Sequence, residues 1–401
     1  MTGSPLPGSM PAGGGAEEDR VKQATLATGP GQSSAGMRQE LLGLTREELE
    51  AWAEAQGEPA YRGRQVFKWL YQKRGGHPGA WSDLPKGFRG LLADRARIGL
   101  PAVVREEVSR DGTRKFLFGL GDGERIESVL IPDEERLTAC VSSQAGCALE
   151  CAFCLTGLMG LTRNLGPGEI VGQVLALQDA VAPGRRVSHI VLMGMGEPLA
   201  NFGNVERALR ILADPDGPGF SPRRITLSTV GLVPGIRRLA ASGLQVNLAI
   251  SLSGTTDAQR SRLMPVNRRY PLKELLAACR EYPLPPRRRI TFEYVLMDGV
   301  NDAPEDARRL IGLLRGIPSK VNLLPLNESP LLPFRASSRR RVEAFQKILH
   351  AAGLTATTRQ SRGHDISAAC GMLHNASEQG LPLAANPPAR EKALDTPRAP
   401  A

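Results

Sequence analysis

Cys147-Ala-Leu-Glu-Cys151-Ala-Phe-Cys154 is the stretch around which the rest of this chain is organised. Its three thiols fall within eight residues, and a loop with this spacing can turn three sulfurs inward onto one metal centre. A closed structural zinc site takes four protein ligands, and so does an ordinary electron-transfer iron–sulfur cluster. Three ligands are instead typical of a cube-shaped 4Fe-4S cluster with one iron left open to a small molecule. A zinc knuckle completed by a distant ligand is the alternative, although no His or Cys lies at zinc-finger spacing from the three thiols.

Strand-like and helix-like segments alternate over the main part of the chain. The predicted strands are Thr138–Ser143, Ser188–Met195, Arg224–Thr229, Val246–Leu252, Ile290–Met297 and Val321–Leu326. A helical stretch follows each strand, as at Pro167–Ala180, Val205–Ala213 and Arg339–Ala351. Six β-α units in succession predict an α/β fold, a partial (β/α)6 barrel over residues 134–375. In such folds the chemistry lies in loops after the carboxyl ends of the strands, and the cysteine loop follows the first strand.

Smaller segments flank the predicted barrel. Residues 1–36 and 381–401 are predicted to be disordered tails, because they offer too little apolar surface to offset the entropy of ordering. Residues 37–100 are predicted to form an N-terminal helical module that contacts RNA. Residues 101–133 alternate in the manner of hairpin strands and predict a small β connector.

The helical module contains a capping signal and a basic helix. Thr45-Arg-Glu-Glu48 has the pattern of a capping box at a helix start. The run from Tyr61 to Tyr71 directs an apolar face toward a core and leaves cations on its outer face. The apolar residues are Val66, Phe67 and Leu70, and the cations are Arg62, Arg64, Lys68 and Lys73. Such a face favours RNA contact, and a simply solvated amphipathic helix is the alternative.

The charge balance favours a polyanionic partner. Among 401 residues, 51 Lys and Arg stand against 41 Asp and Glu, so the formal net charge is +10. Arginines occur in clusters at 223–224, 268–269, 287–289 and 339–341. Arginine binds phosphate in a bidentate fork and stacks on bases, which indicates a nucleic acid; ordinary solvated surfaces are the alternative.

The cysteines and the hydropathy together predict a cytoplasmic protein. No apolar run reaches the roughly 18 residues needed to span a membrane, and no hydrophobic leader opens the chain, so no membrane partner is expected. In the cytoplasm thiols stay reduced and indicate metal binding or catalysis before structural disulfides. Cys279 fits a helix-face core residue, whereas Cys140 in the first strand and Cys370 in a late Gly-rich loop suggest thiol chemistry. Burial of both as apolar residues is the alternative.

Polar residues follow several of the predicted strands. Gly194-Met-Gly196-Glu197-Pro198 follows the second strand, where glycines allow close backbone approach and a buried Glu can receive an ammonium group. Ser228, Ser251, Ser253 and Asn327 lie at later strand ends, where they either bind a ribose or carboxylate or cap the next helix. The Cys-x3-Cys-x2-Cys spacing resembles the signature of the radical S-adenosylmethionine (SAM) enzymes. The Gly-Glu-Pro segment resembles the element that holds the SAM amino group in those enzymes.

The motifs in combination closely resemble the RlmN family, radical SAM adenine-C2 methyltransferases that act on 23S rRNA and on some tRNAs. The resemblance covers about residues 40 to 375. It rests on the segments Glu127–Pro132, Cys140–Cys154, Arg163–Leu165, Met193–Pro198 and Arg362–Gly371. It implies a radical SAM barrel, a 4Fe-4S cluster bound by Cys147, Cys151 and Cys154, and SAM as cofactor.

The resemblance also implies a mechanism that uses two SAM molecules per turnover. One SAM methylates Cys370; the second, at the cluster, is cleaved reductively to a 5′-deoxyadenosyl radical that takes a hydrogen from the new methyl group. The carbon radical adds to C2 of adenine, which is too electron-poor to attack SAM directly. Cys140 then attacks the sulfur of Cys370 and releases the product, leaving a disulfide. Glu127 matches a residue proposed as proton acceptor.

By the same resemblance, a set of strand-end residues lines the SAM site: Gly196, Glu197, Ser228, Ser251, Leu252, Ser253 and Asn327. Two departures weaken these contacts. Ser253 stands where many members carry His, and Leu326-Asn327-Glu328 stands where an aromatic-Asn-Pro segment is usual. The resemblance further implies an electron donor such as flavodoxin, and a monomer is expected.

Two other functions compete with this interpretation. A Cfr-type enzyme, which methylates C8 of the same adenine, shares the cluster cysteines and both additional cysteines. A non-catalytic RNA-binding factor in ribosome assembly would keep the cluster for structure only. Such a factor needs neither Cys140 nor Cys370, so their presence favours an enzyme.

Overall fold

A ten-stranded sheet lies at the centre of the computed structural model, which describes residues 38–74 and 76–374. The two predicted tails lie outside these residues. The strands are β1 (Gln39–Glu40), β2 (Ala96–Arg97), β3 (Ala102–Val108), β4 (Arg114–Gly119), β5 (Arg125–Asp133), β6 (Arg136–Cys140), β7 (Gln144–Cys147), β8 (Gly160–Asn164), β9 (His189–Leu192), β10 (Ile225–Thr229), β11 (Asn247–Ser251), β12 (Ile290–Leu296), β13 (Ser319–Pro325) and β14 (Ala356–Thr358). The α-helices are α1 (Arg46–Ala55), α2 (Ala60–Lys68), α3 (Lys86–Arg95), α4 (Leu155–Leu158), α5 (Pro167–Asp179), α6 (Phe202–Ala213), α7 (Val233–Ala241), α8 (Asp257–Leu263), α9 (Leu272–Glu281), α10 (Pro304–Leu314) and α11 (Arg339–Ala351).

The parallel part of the sheet confirms the predicted barrel. Strands β6, β9, β10, β11, β12 and β13 pair in parallel in this order, and each overlaps a predicted strand. At least one helix follows every one of them. The structure adds a short seventh parallel strand, β14, beside β13. The carboxyl ends of these strands therefore share one edge, where the loops that follow them meet.

The predicted β connector continues the sheet of the barrel. Strands β3, β4 and β5 form an antiparallel meander, and β5 pairs with β6 so that Val129 lies opposite Cys140. The central residues of β5, from Ile126 to Leu130, are buried, because this strand is covered on both faces. Residues of the connector, including Glu127, consequently reach the interior next to the first barrel strand.

The N-terminal helices pack against the barrel through two glycines. Gly43 has a φ of 96°, and a Cβ at this position would lie 2.3 Å from the backbone nitrogen of Gly168 in α5. The predicted capping box is present: the Glu48 backbone N–H donates to Thr45 Oγ1 (3.3 Å), and the Thr45 N–H donates to Glu48 Oε2 (2.9 Å). The close approach of Gly43 to Gly168 allows the N-terminal helices and the barrel to bury one common hydrophobic core.

The structure gives the cations of α2 and the turn after it acidic neighbours. Arg64 pairs with Glu50 at 3.2 Å, and Lys73 pairs with Asp83 at 2.7 Å. Lys68 contacts Asp216 of the barrel at 3.1 Å. These exposed pairs contribute little to stability, and RNA phosphates can displace their acidic partners. Contact with RNA through this face stays a prediction. Within the described part of the chain, no helix is long and apolar enough to cross a membrane.

Candidate active site

The cysteine loop is the tip of a β-hairpin that follows the first barrel strand. Strands β7 and β8 pair antiparallel, with Cys147 opposite Gly160. Gly146 has a φ of 79°, and a Cβ there would lie 2.0 Å from the Gly160 carbonyl oxygen, so only glycine fits. The Cys154 N–H donates to the Cys151 carbonyl (3.0 Å), which folds the three-cysteine segment back on itself.

The three thiols lie in a weakly hydrated environment. Cys151 is buried, and Cys147 and Cys154 are half-buried. Burial raises the pKa of Cys147 to about 12 and raises the pKa of Cys151 well above its usual value; a charged neighbouring thiol raises both further. A bound cation is therefore needed to hold these sulfurs as thiolates.

The donor set fits an iron–sulfur cluster. In residues 38–74 and 76–374, no group of three or more His, Cys, Asp or Glu side chains is arranged to hold a single metal ion. A 4Fe-4S cluster binds each thiolate through a different iron, so its sulfurs do not converge on one ion. Cys147, Cys151 and Cys154 would hold such a cluster at the mouth of the barrel.

The Gly-Glu-Pro loop is fixed to the cysteine hairpin through Gln144. The Gln144 side-chain oxygen accepts from the Glu197 backbone N–H (2.8 Å), and its nitrogen donates to Asn164 Oδ1 (2.7 Å). Gly196 has a φ of 98°, and a Cβ there would lie 2.5 Å from Gln144 Cβ. The loop after the second barrel strand therefore requires glycine at this close approach.

Glu197 is a buried carboxyl beside the cysteine loop. Its side chain accepts from the backbone N–H groups of Leu199 (3.0 Å) and Val230 (2.9 Å). Burial raises the pKa of Glu197 to about 7, although these hydrogen bonds favour the charged form. The Glu197 carboxyl therefore titrates near neutral pH, and a cation bound next to it would stabilise the carboxylate form.

The C-terminal loop brings Cys370 to the cysteine loop. The Leu155 N–H donates to the Gly371 carbonyl (2.7 Å), and Thr156 Oγ1 donates to the Leu373 carbonyl (2.7 Å). The Asn327 side chain donates to the Cys370 carbonyl (3.0 Å) and accepts from Ser361 Oγ (2.5 Å). Asn327 therefore holds the loop that carries Cys370. Its position at a strand end in the sequence does not indicate this role.

Cys140 and Cys370 line one cavity from different elements. Cys140 is buried at the end of β6, whereas Cys370 is exposed as a residue, although its sulfur lies in the partly desolvated cavity. Burial raises the pKa of Cys140 to about 12 and also raises the pKa of Cys370, while the nearby Arg359 guanidinium favours both thiolates. All six cysteines of the chain are free in this structure, and Cys279 is buried in α9 as predicted.

Glu127 lies on β5 and is not among the residues that line the cavity. Its side chain is 1% exposed, pairs with Lys115 Nζ at 3.2 Å and accepts from the His374 N–H at 2.7 Å. Burial raises the pKa of Glu127, and the charge of Lys115 opposes this shift. The contact with His374 connects Glu127 to the same loop that carries Cys370.

The structure brings most of the predicted site residues together in this cavity. Those that line it are Cys140, Cys151, Cys154, Gly196, Glu197, Ser228, Ser251, Asn327 and Cys370. Glu127, Cys147, Leu252 and Ser253 do not line it, and of these Leu252 and Ser253 are fully buried. Ser253 has a φ of 47°, and its hydroxyl accepts from the Val295 N–H (3.3 Å). The serine at this position therefore supports strand β12 rather than facing the cavity.

Two charged residues of the cavity wall were not predicted from the sequence. Glu293 lies within β12, and Arg359 directly follows β14. The signal for Glu293 is that it is the one charged residue of the strand Ile290–Leu296, since strands of a parallel sheet are covered on both faces and seldom carry a charge. Arg359 carries no comparable signal in the sequence.

The barrel, the cysteine loop and the cavity define a radical SAM enzyme, and comparisons with known proteins agree. The Radical SAM superfamily profile matches residues 141–311, and the ribosomal RNA large subunit methyltransferase N-terminal domain profile matches residues 39–98. A crystal structure of a radical SAM methyltransferase from Sphaerobacter thermophilus superposes with a TM-score of 0.80 at 50% identity. It covers 84% of this chain and 99% of that chain.

Two relatives identify the family. The dual-specificity RNA methyltransferase RlmN of Syntrophobacter fumaroxidans is 53% identical over 330 residues, which is 82% of this chain and 96% of the relative. The protein of the same name from Geobacter sulfurreducens is 54% identical over 334 residues, 83% of this chain and 91% of the relative. The chain belongs to the RlmN family of radical SAM RNA methyltransferases.

Proposed function

We propose that this protein methylates C2 of an adenosine in 23S rRNA and in certain tRNAs, through a methylated Cys370 and a resolving Cys140. The observation that carries the proposal is that these two thiols, far apart in sequence, line one cavity with Cys151 and Cys154. An RNA-binding protein needs no such pair. The name of the relatives, dual-specificity RNA methyltransferase, supports more than one kind of RNA substrate, and the N-terminal profile names ribosomal RNA of the large subunit.

The chain's own residues perform the bond changes. Cys370, as the thiolate that the Arg359 guanidinium favours, takes a methyl group from SAM, and this methyl carbon later forms the bond to C2. The adduct formed at C2 then loses one electron, which the cluster would take back, and the C2 proton, which Glu127 accepts by way of the loop that its carboxyl contacts at His374. Cys140 then attacks the sulfur of Cys370. The electron pair of the broken carbon–sulfur bond stays on the methylene carbon, which gains a proton and becomes the product methyl group, leaving a disulfide for a reductant.

The cofactors would occupy the other side of the same cavity. Cys147, Cys151 and Cys154 would hold the cluster, and Glu197, Ser228 and Ser251, which line the cavity with Cys151 and Cys154, would bind SAM. Together, the cluster and SAM supply the methyl group and the one-electron chemistry that removes a hydrogen atom. The chain orients these groups and excludes water around the thiols. We further propose a consumption of two SAM per turnover, a flavodoxin-type donor, a monomeric state and a cytoplasmic location.

The affinity for SAM is expected to rise with pH. Burial raises the pKa of Glu197 to about 7, so the protonated carboxyl attracts an ammonium group poorly below this pH, and the carboxylate attracts it above. Equilibrium binding of SAM to the reconstituted protein should therefore tighten between roughly pH 6 and pH 8. Glu197→Gln should bind more weakly and lose this pH dependence, and the exposed Glu274→Gln serves as control. An unchanged pH dependence in Glu197→Gln would remove Glu197 from the ammonium site.

The proposed function is tested by the product nucleoside. Reconstituted protein with SAM and reductant is incubated with 23S rRNA fragments and with tRNA, and the digested nucleosides are analysed by mass spectrometry against standards. We expect 2-methyladenosine from both RNAs. Only 8-methyladenosine would instead establish the Cfr-type reaction, and RNA binding with no modified nucleoside would favour the assembly factor.

A further inference from the structure

Glu293 is a buried carboxyl that the steps above do not use. It is 7% exposed, lies in the cavity wall, and its Oε1 is buried without a hydrogen-bond partner. A carboxyl oxygen withdrawn from water without a partner is costly, so a missing donor is expected. Rotation about the last torsion of Glu is soft and exchanges the two oxygens at little cost, so either can turn to a donor in the cavity.

Glu293 shares its cavity with the thiol pair. Glu293 lines the cavity together with Cys140, Cys370 and Arg359, and its charge raises the pKa of both thiols. Within the described residues, Glu293 and Glu197 are the two carboxyls that line this cavity. Glu197 is the carboxyl proposed to receive the SAM ammonium group, so we assign the donor that Glu293 lacks to the other molecule of the cavity, the one that meets the thiols.

Neighbouring strands fix the position of Glu293. Register places Ser251 of β11 and Asn322 of β13 on either side of it, so a polar row crosses the inside of the barrel. Burial raises the pKa of Glu293, while the Arg359 guanidinium and the Asn322 side chain oppose this shift. The carboxyl is therefore held between rigid strands, which suits a group that must orient a substrate.

We propose that Glu293 recognises the target base by accepting a hydrogen bond from the exocyclic amine of adenine. This inference rests on the proposed function, because it takes adenosine as the acceptor. Adenine offers N–H donors at C6, on the ring that also carries C2. Guanine instead carries a carbonyl oxygen at C6. This oxygen and the Glu293 carboxylate are both hydrogen-bond acceptors and would repel each other, so guanine would be rejected. Glu293 is thus a specificity-determining residue that turns C2 toward Cys370.

The test pairs a change in the protein with a change in the RNA. The substrates are two short RNA hairpins, identical except that one carries purine riboside, which lacks the amine, at the target position. With the unchanged protein, loss of the amine should lower kcat/KM by about 10- to 100-fold, as for a hydrogen bond to a charged group. With Glu293→Ala, the two RNAs should be methylated within roughly threefold of each other. Because intrinsic reactivity of the two bases is the same for both proteins, it cancels in this comparison.

Three controls separate the possible failures. Glu293→Gln keeps an oxygen acceptor and should retain most of the preference for adenosine, so it also serves if the alanine variant folds poorly. Glu274→Ala, on the outer face of α9, should behave like the unchanged protein. Methylation of Cys370 without RNA, measured by peptide mass, should be unaffected in Glu293→Ala; its loss would assign Glu293 to SAM and overturn the inference.

The outcomes distinguish the two proposals. An equal penalty for purine riboside in Glu293→Ala and in the unchanged protein overturns the role of Glu293 while leaving the C2 chemistry intact. Absence of any 2-methyladenosine from the unchanged protein overturns the proposed function itself.

Discussion

Replacement of Cys370 by alanine is expected to abolish RNA methylation while leaving the cluster intact. The thiol of Cys370 is the only group proposed to carry the methyl carbon, and loss of a covalent nucleophile typically lowers turnover by roughly 10⁴-fold or more. The Cys370 carbonyl, which accepts from Asn327, remains in the variant, so the loop should keep its position. Visible absorbance of the reconstituted protein should therefore match that of the unchanged chain.

The matched control for Cys370→Ala is Cys279→Ala. Cys279 is also a free cysteine, but it is buried in helix α9, away from the residues that line the cavity. The variant should retain methylation, which shows that loss of a thiol alone has no effect. Any 2-methyladenosine formed by Cys370→Ala at a rate near that of the unchanged protein would contradict the methylated-cysteine mechanism.

Replacement of Cys140 by alanine is expected to trap the RNA on the protein. Without the second thiol, nothing attacks the sulfur of Cys370, so the bond between the methylene carbon and this sulfur persists after C2 has been alkylated. Cys140 and Cys370 lie in one cavity, and no other cysteine outside the cysteine loop lines it within the described residues. A denaturing gel should show a protein–RNA adduct that depends on SAM and reductant and carries at most one RNA per chain.

Two further variants sharpen this experiment. The double variant Cys140→Ala with Cys370→Ala should form no adduct, because the attachment point is missing. Cys279→Ala should form product and no adduct. Free 2-methyladenosine released by Cys140→Ala at an unchanged rate would remove Cys140 from the resolving role.

The sequence was sufficient for the fold class because the relevant signals are local. Alternation of apolar strands and amphipathic helices depends on nearest neighbours along the chain, and the six predicted parallel strands are present. The glycines of the cysteine hairpin and of the Gly-Glu-Pro loop are visible in the sequence, but the need for them is tertiary, since a Cβ at Gly146 would collide with the Gly160 carbonyl and one at Gly196 with Gln144.

Packing decided what the local pattern left open. The connector joins the barrel sheet because β5 finds β6 as its partner, which places Glu127 beside the site. Ser253 turns into the fold to accept from Val295, although its position at a strand end resembles that of Ser251. Sequence spacing cannot separate these two serines, because their difference lies in a positive φ imposed by the surrounding chain.

By itself, the sequence determined which reactive groups the chain contains: three thiols spaced for a cluster, a glycine-flanked carboxyl, and two additional cysteines. Only the tertiary structure decided which of these groups act together. Hydrogen bonds from Leu155, Thr156 and Asn327 hold the C-terminal loop against the cysteine loop, and so bring Cys370 into the cavity with Cys140. The physical reason is that the strand ends of a parallel barrel converge, so residues distant in the chain share one weakly hydrated cavity. Glu293 and Arg359 line this cavity together with the two thiols.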